Sequence, residues 1–340
     1  MLVIHDAGHA RHYPKNFLVA GALKPNPEVP RRAEVLLEAA VAAGHEARPA
    51  EPHERSYVAR IHTPEYLRFL ETVHGRWQEI PGASAEVIPN MHPRARDVGY
   101  PASVVGQAGY HLQDTACPID AGTWAAALGA ADCALTGADL LLRGEPIVYA
   151  LCRPPGHHAY ADQAGGFCYL NNAALAAQQL RTTAERVAIL DVDVHHGNGT
   201  QGIFYARDDV LTVSLHSDPI AFYPFFVGYA QERGEGRGLG YNLNLPLPKG
   251  TGDNAYMQAL ERGLQRIASF RPQALVVALG LDAHEGDPFQ GLKITTAGFG
   301  QIGAAIAELK LPTLLVQEGG YMNDALGPNL VSFLSAFAPG

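Results

Sequence analysis

Unbroken apolar runs dominate the second half of the chain, where alternating apolar and polar residues are scarce. The runs at 147–151 (IVYAL), 187–190 (VAIL), 210–215 (VLTVSL), 274–281 (ALVVALGL) and 313–317 (TLLVQ) carry almost no polar side chain. That pattern predicts strands covered on both faces. Between them, 124–143, 172–181, 253–270 and 296–309 have helical spacing. Strands interleaved with helices predict a single three-layer αβα domain over 1–340 with a mainly parallel central sheet. In such a fold the ligand site lies beyond the carboxyl ends of the strands.

The first third is less regular. Residues 1–30 read as polar and proline-rich turns. Pro30 opens a helix that Gly44 ends, and 57–71 reads as a second helix with a start inside it at Thr63-Pro64. From 75 to 122 no period of 2 or 3.6 persists, and Pro81, Pro89, Pro93, Pro101 and Pro118 punctuate the stretch. A loop of that length inside a compact domain is expected to serve as a lid, a binding loop or a partner contact. Trp77, Tyr100 and Tyr110 argue that it is ordered. Thr123 is the expected N-cap of the next helix.

Composition narrows the class. At 47% apolar and 17% charged residues, the 340-residue chain can build a large core, and its formal charge of −9 disfavours nucleic acid as a partner. Cys117, Cys133, Cys152 and Cys168 form no C-x-x-C pair, so neither a disulfide framework nor a thiolate zinc site is indicated. No apolar stretch is long enough for a membrane span, and the first residues lack a secretory core. A soluble cytoplasmic protein is the expectation.

The chemistry gathers at the strand ends. After 187–190, Asp191, Asp193 and His195 fall at every second position. If the chain stays extended they share a face and begin a cation site. The run at 274–281 ends in Asp282. With Asp193 and His195 it would supply one nitrogen and two oxygen ligands, leaving a fourth position open, as catalytic zinc requires. On spacing alone Asp282 could equally cap the following turn, while Asp287 lies within a Gly-Asp-Pro turn and suits a ligand less. After 147–151, a Pro-Pro-Gly turn presents His157 and His158, suited either to acid–base work or to plain surface polarity. After 313–317, Glu318-Gly319-Gly320 presents Tyr321, either an oxyanion donor or a packing aromatic.

Taken together, RPPGHHA (153–159), GGFCYLNN (165–172), DVDVHHGNGTQ (191–201), VSLH (213–216), LGLDAHEGDP (279–288) and EGGY (318–321) resemble the histone deacetylase superfamily, with the bacterial acetylpolyamine amidohydrolases as the nearest branch. The resemblance runs over at least 1–335 and implies an arginase/deacetylase-like fold. It implies zinc on Asp193, His195 and Asp282, and His157 and His158 as tandem catalytic histidines, with His158 the principal base and then acid. Asp191 would orient His157, Asn198 would orient His158, and Tyr321 would stabilise the oxyanion. A structural potassium ion would sit on Asp191, Asp193, His195, Ser214 and Leu215. A second would use main-chain oxygens near Phe204, Arg207, Val210 and Tyr241. Phe167, Tyr223 and Gly166 match the tunnel wall, and Phe289 lies near its mouth. The loop at 75–122 corresponds to an insertion that helps form a homodimer and narrows the entrance.

The implied activity is zinc-dependent release of acetate from acetylated polyamines or similar small acylamines, by attack of an activated water. The substrate would be a small cationic acetylated amine. Deacetylation of acetyl-lysine, in proteins or as a small molecule, is the alternative. Polyamine selection calls for negative charge at the mouth. Glu79, Glu86, Asp97, Asp114, Asp120 and Glu285 are available, whereas Val105 and Ala116 are apolar. A binuclear manganese hydrolase would need bridging aspartates that are not found. A silent sensor of acetylated amines would be expected to lack a catalytic residue, and none is missing.

Overall fold

The computed structural model describes residues 1–97 and 99–337; position 98 of the 75–122 loop and 338–340 of the expected domain lie outside the described residues. In chain order the elements begin with β1 (Leu2–His5), β2 (Asn16–Val19), β3 (Ala22–Pro25), α1 (Arg31–Ala42), β4 (Glu46–Pro49), α2 (Arg55–Val58), α3 (Pro64–Gln78), α4 (Val104–His111) and α5 (Thr123–Leu142). They continue with β5 (Ile147–Leu151), α6 (Asn172–Leu180), β6 (Val187–Asp191), α7 (Asn198–Phe204), β7 (Val210–Ser217), β8 (Asn242–Leu247) and α8 (Asp253–Phe270). The last are β9 (Ala274–Leu279), α9 (Thr296–Ala307), β10 (Thr313–Gln317) and α10 (Leu326–Ser335).

Eight strands form one sheet in the order β4-β1-β5-β10-β9-β6-β7-β8. All its pairings are parallel. Side chains alternate across it. Val148, Ala150, Ile189, Val276, Leu314 and Val316 pack under the alanine-rich faces of α5 and α6. Tyr149, Leu151, Leu190, Val277 and Leu315 pack on the other side against α1, α8, α9 and α10. Both faces are therefore dry, which is why the strands read as unbroken apolar runs. The ends of β5, β10, β9 and β6 meet at the centre of one edge of the sheet, and each candidate motif follows one of them.

Several boundaries depart from the sequence expectation for identifiable reasons. The stretch 57–71 is two helices, because Thr63 precedes Pro64 and is extended; its hydroxyl then caps α3 by accepting from the Tyr66 N–H. α3 continues to Gln78, since Tyr66, Phe69, Leu70, Val73 and Trp77 keep one buried stripe. The 75–122 stretch is not all loop. It contains α4, whose two glycines hid its period and whose Gly109 backs onto the Met91 main chain, and it is tied by a bridge between Val87 and Ile119. Thr123 is the first residue of α5 rather than its cap, and the cap position is Gly122. Residues 1–30 hold β1 and the β2–β3 hairpin, not turns alone. The strand expected at 274–281 ends at Leu279, because Gly280 passes tight against Asp193.

Candidate active site

β6 ends at Asp191, so the alternation through His195 does not continue as strand. The three residues separate accordingly: Asp191 turns to His157, while Asp193 and His195 meet Asp282 from the end of β9. One donor atom from each of Asp193, His195 and Asp282 lies within 4.8 Å of the others. His195 Nδ1 is 3.2 Å from Asp193 Oδ1 and 3.3 Å from Asp282 Oδ2. Asp193 and Asp282 are fully buried, and Asp282 Oδ2 has no hydrogen-bond partner.

Two carboxylates facing one ring nitrogen in a dry site are unfavourable unless a cation joins them. Main-chain N–H groups aim the carboxylates: Val194 donates to Asp282 Oδ1 at 3.0 Å, His195 to Asp193 Oδ1 at 2.9 Å and Gly319 to Asp193 Oδ2 at 2.8 Å. A side chain at Gly319 would collide with both carboxylates, so the backbone can close over them only as glycine. Hard oxygens, one imidazole and an orphaned carboxylate oxygen fit a divalent metal ion.

A second group, His157, Cys168 and Glu318, is also close enough to share an ion. It fits one less well, although Glu318 Oε1 also lacks a partner. His157 is committed to Asp191, burial raises the Cys168 thiol well above its ordinary value, and Glu318 Oε2 already accepts the Gly156 and His157 N–H groups at 2.6 and 3.0 Å.

The tandem histidines differ in what they face. Burial opposes charge on His157, but Asp191 (Nδ1 to Oδ2, 2.9 Å) and Asp193 beyond it outweigh burial and hold its pKa well above the ordinary value. In His158, burial and then the charges of His157 and His195 push the pKa well below that value. Its Nδ1 lies 2.6 Å from Asn198 Oδ1. The orientation of that amide follows from a relay. Gln113 Nε2 donates to the His158 carbonyl at 2.9 Å, so Gln113 Oε1 faces Asn198 Nδ2 at 3.0 Å and Asn198 Oδ1 is left for the ring. His158 Nδ1 therefore carries the hydrogen, and Nε2 keeps a free lone pair.

Tyr321 is buried, and burial keeps its phenol protonated well above the usual range. Its N–H donates to Asp287 Oδ2 at 3.0 Å, and its ring lies 4.6 Å from the Arg32 guanidinium. Arg32 in turn donates to the Gly320 and Glu318 carbonyls, and so holds the glycine turn.

Above this floor stands a cavity of about 270 Å³, small for a ligand site, walled mainly by aromatic rings. Phe167 and Tyr223 line it as expected. Phe167 has φ +67°, a costly conformation for a non-glycine residue, which turns its ring toward Phe17 and Tyr321. Gly166, at φ +51°, lies against the His158 ring, where a side chain would collide. Phe289, expected near the mouth, reaches down to His195 and Tyr321, with ring centroids 5.2 and 4.7 Å away. Among the described residues, none of the acids expected at the mouth (Glu79, Glu86, Asp97, Asp114, Asp120, Glu285) lines the cavity. Three of them are held in local bonds: Asp120 accepts the Tyr13 and Gly122 N–H groups, Glu86 the Lys15 N–H, and Asp114 the Tyr223 hydroxyl.

Comparison with known proteins agrees with this geometry. The histone deacetylase domain model matches residues 26–337. The chain belongs to the histone deacetylase family. It is 46% identical over 338 residues to an acetylpolyamine amidohydrolase of Burkholderia pseudomallei, covering 99% of this chain and 98% of that one. It is 43% identical over 342 residues to the acetylpolyamine amidohydrolase of Mycoplana ramosa, covering 99% of this chain and all (100%) of the relative. The crystal structure of the Burkholderia pseudomallei acetylpolyamine aminohydrolase superimposes with a TM-score of 0.96 at 46% identity, covering 99% and 98% of the two chains. The three-layer architecture is thus the arginase/deacetylase fold of that family.

Several residues of the site carry no signal that the sequence analysis uses, among them Phe17, which lines the cavity against Phe167. Gln113 and Phe222, the latter stacked 5.0 Å from His195, lie in stretches without a motif. Asp287 was passed over as a turn residue, yet it anchors Tyr321. The signal for Arg32 was a charged residue at an inward position of an amphipathic helix; it is buried with Glu28 and Arg153.

Proposed function

We propose that the chain is a zinc-dependent hydrolase that releases acetate from acetylated polyamines or similar small acylamines. The observation that carries this reading is the convergence of Asp193, His195 and Asp282 at the floor of a slim aromatic tunnel, beside His158 and Tyr321. Zinc held there would polarise the amide carbonyl and lower the pKa of water to about 7. His158 Nε2 takes the proton of the attacking water, and the Asn198 hydrogen bond keeps that nitrogen free. The Tyr321 hydroxyl donates to the oxygen on which charge develops. The imidazolium of His157, held by Asp191, adds a positive charge nearby. When the C–N bond breaks, His158 returns the proton to the amine, so amide and water yield acetate and amine.

Asn198 tunes this step. A carboxylate in its place would favour the charged imidazole, so His158 would lose its proton only at higher pH. Asn198→Asp is expected to move the acid limb of the kcat/KM profile upward by roughly one pH unit. A limb that stays in place would remove His158 from the role of base.

The nearer potassium ion would sit on Asp191, Asp193, His195, Ser214 and Leu215; of these, Asp191 and Ser214 line a small cavity of about 10 Å³. At the second set, the Phe204 and Tyr241 carbonyls each accept one main-chain N–H, at 2.9 and 3.0 Å, and keep a second lone pair; Arg207 and Val210 would complete it. The loop at 75–122 exposes Met91 and Tyr100, in keeping with a homodimer contact.

A panel of N-acetylputrescine and an acetyl-lysine peptide, run with and without chelator, tests the reading. Chelator-sensitive turnover of the first supports it. Turnover of the peptide alone would favour the acetyl-lysine alternative.

A further inference from the structure

Gln113 lies in the 75–122 stretch just past the end of α4, and its side chain reaches the acid–base histidine without lining the cavity. Main-chain bonds fix its place: its N–H donates to the Ala164 carbonyl at 2.8 Å, and the Ala164 N–H donates to the His111 carbonyl at 2.8 Å. Gly165 leaves room for the side chain, since a Cβ there would stand 2.9 Å from Gln113 Nε2.

The bonds that follow make a closed circuit that begins and ends on His158. The His158 carbonyl can only accept, so Gln113 must turn Nε2 toward it, at 2.9 Å. Gln113 then has only its oxygen for Asn198 Nδ2, at 3.0 Å, and Asn198 has only its oxygen for His158 Nδ1, at 2.6 Å. A main-chain carbonyl cannot present a donor as a reversed amide can, which makes it the fixed reference for both amides. With Gln113 removed, these contacts no longer distinguish the two ends of the Asn198 amide. Turned over, that amide would offer N–H to Nδ1. The ring would then carry its hydrogen on Nε2, and the lone pair that must face water would be gone. Resting on the deacetylase reading above, we infer that Gln113 is a positioning residue, which holds the Asn198 amide one way round and so keeps His158 Nε2 bare. The 75–122 stretch thereby takes part in proton transfer without touching the substrate.

Gln113→Met keeps the length of the side chain and removes both polar ends. It is expected to lower kcat on N-acetylputrescine roughly three- to thirtyfold with KM unchanged. Asn198→Asp in the same background is expected to recover most of that loss on its pH plateau, because a carboxylate offers oxygen to Nδ1 whichever way it turns. Ring-nitrogen NMR of the zinc-loaded full chain with isotope-labelled histidine, His158 being assigned by its loss in His158→Ala, locates the hydrogen itself. It is expected on Nδ1 in wild type, and shared with or moved to Nε2 in Gln113→Met. A purely structural role would lower the thermal midpoint and leave the hydrogen in place. A hydrogen on Nε2 in wild type, an unmoved hydrogen in folded Gln113→Met, or a loss of kcat that Asn198→Asp does not recover would overturn the inference and leave the deacetylase reading standing. A wild type that turns over no acetylated amine would overturn the deacetylase reading, and the NMR pattern would still decide whether Gln113 sets the ring.

Discussion

Replacing His158 with alanine is expected to lower kcat by about 10²–10⁴-fold, the range for losing a positioned acid–base group. The size of the effect follows from the dual use of Nε2, which removes a proton from water and later supplies one to the amine. His157 cannot substitute. Asp191 holds it charged, and a charged imidazole has no lone pair with which to accept a proton. Because the ring is buried, the thermal midpoint of the variant should be compared with that of wild type, and activity scaled to folded protein. A kcat within threefold of wild type in folded, metal-loaded protein would exclude His158 as the proton carrier.

Tyr321→Phe is expected to reduce kcat by about 10²–10³-fold, as for removal of a single oxyanion donor, with little change in KM. The substitution removes one oxygen and keeps the ring, so packing against Phe289, Phe167 and Arg32 survives and stability should be unaltered. The phenol is well placed to donate because burial keeps its proton on at any working pH. Undiminished kcat would mean that the oxyanion is stabilised without this hydroxyl. A raised KM with unchanged kcat would make Tyr321 a binding residue instead.

The sheet was legible because β5, β6, β9 and β10 are dry on both faces, which writes itself into the chain as unbroken apolar runs. β4 (EARP) and β8 (NLNLPL) stand at the two edges of the same sheet and carry charged or polar side chains, so periodicity alone passed over them. The metal group was legible because polar residues at the ends of buried strands stand out against apolar surroundings. Which of them would meet was not. Asp191 and Asp193 look equivalent in the chain, and only the end of β6 at Asp191 sends one to His157 and the other to the metal group. Arg32, Gln113 and Asp287 act through contacts 288, 45 and 34 residues away in sequence, and no local pattern records such distances. The mouth shows the same limit from the other side. Its acids were countable in the chain, but the commitments of Asp120 and Glu86 to main-chain N–H groups and of Asp114 to Tyr223 became visible only in the fold.

Metal content bears most directly on the central claim that Asp193, His195 and Asp282 grip one divalent ion. Stripped protein titrated with zinc, with binding followed by calorimetry and bound metal by elemental analysis, should take up a single tight ion per chain. Asp282→Asn, which keeps the shape but not the charge of a ligand, should weaken that binding by at least about 10²-fold. Two tight ions in wild type, or undiminished affinity in the variant, would contradict it.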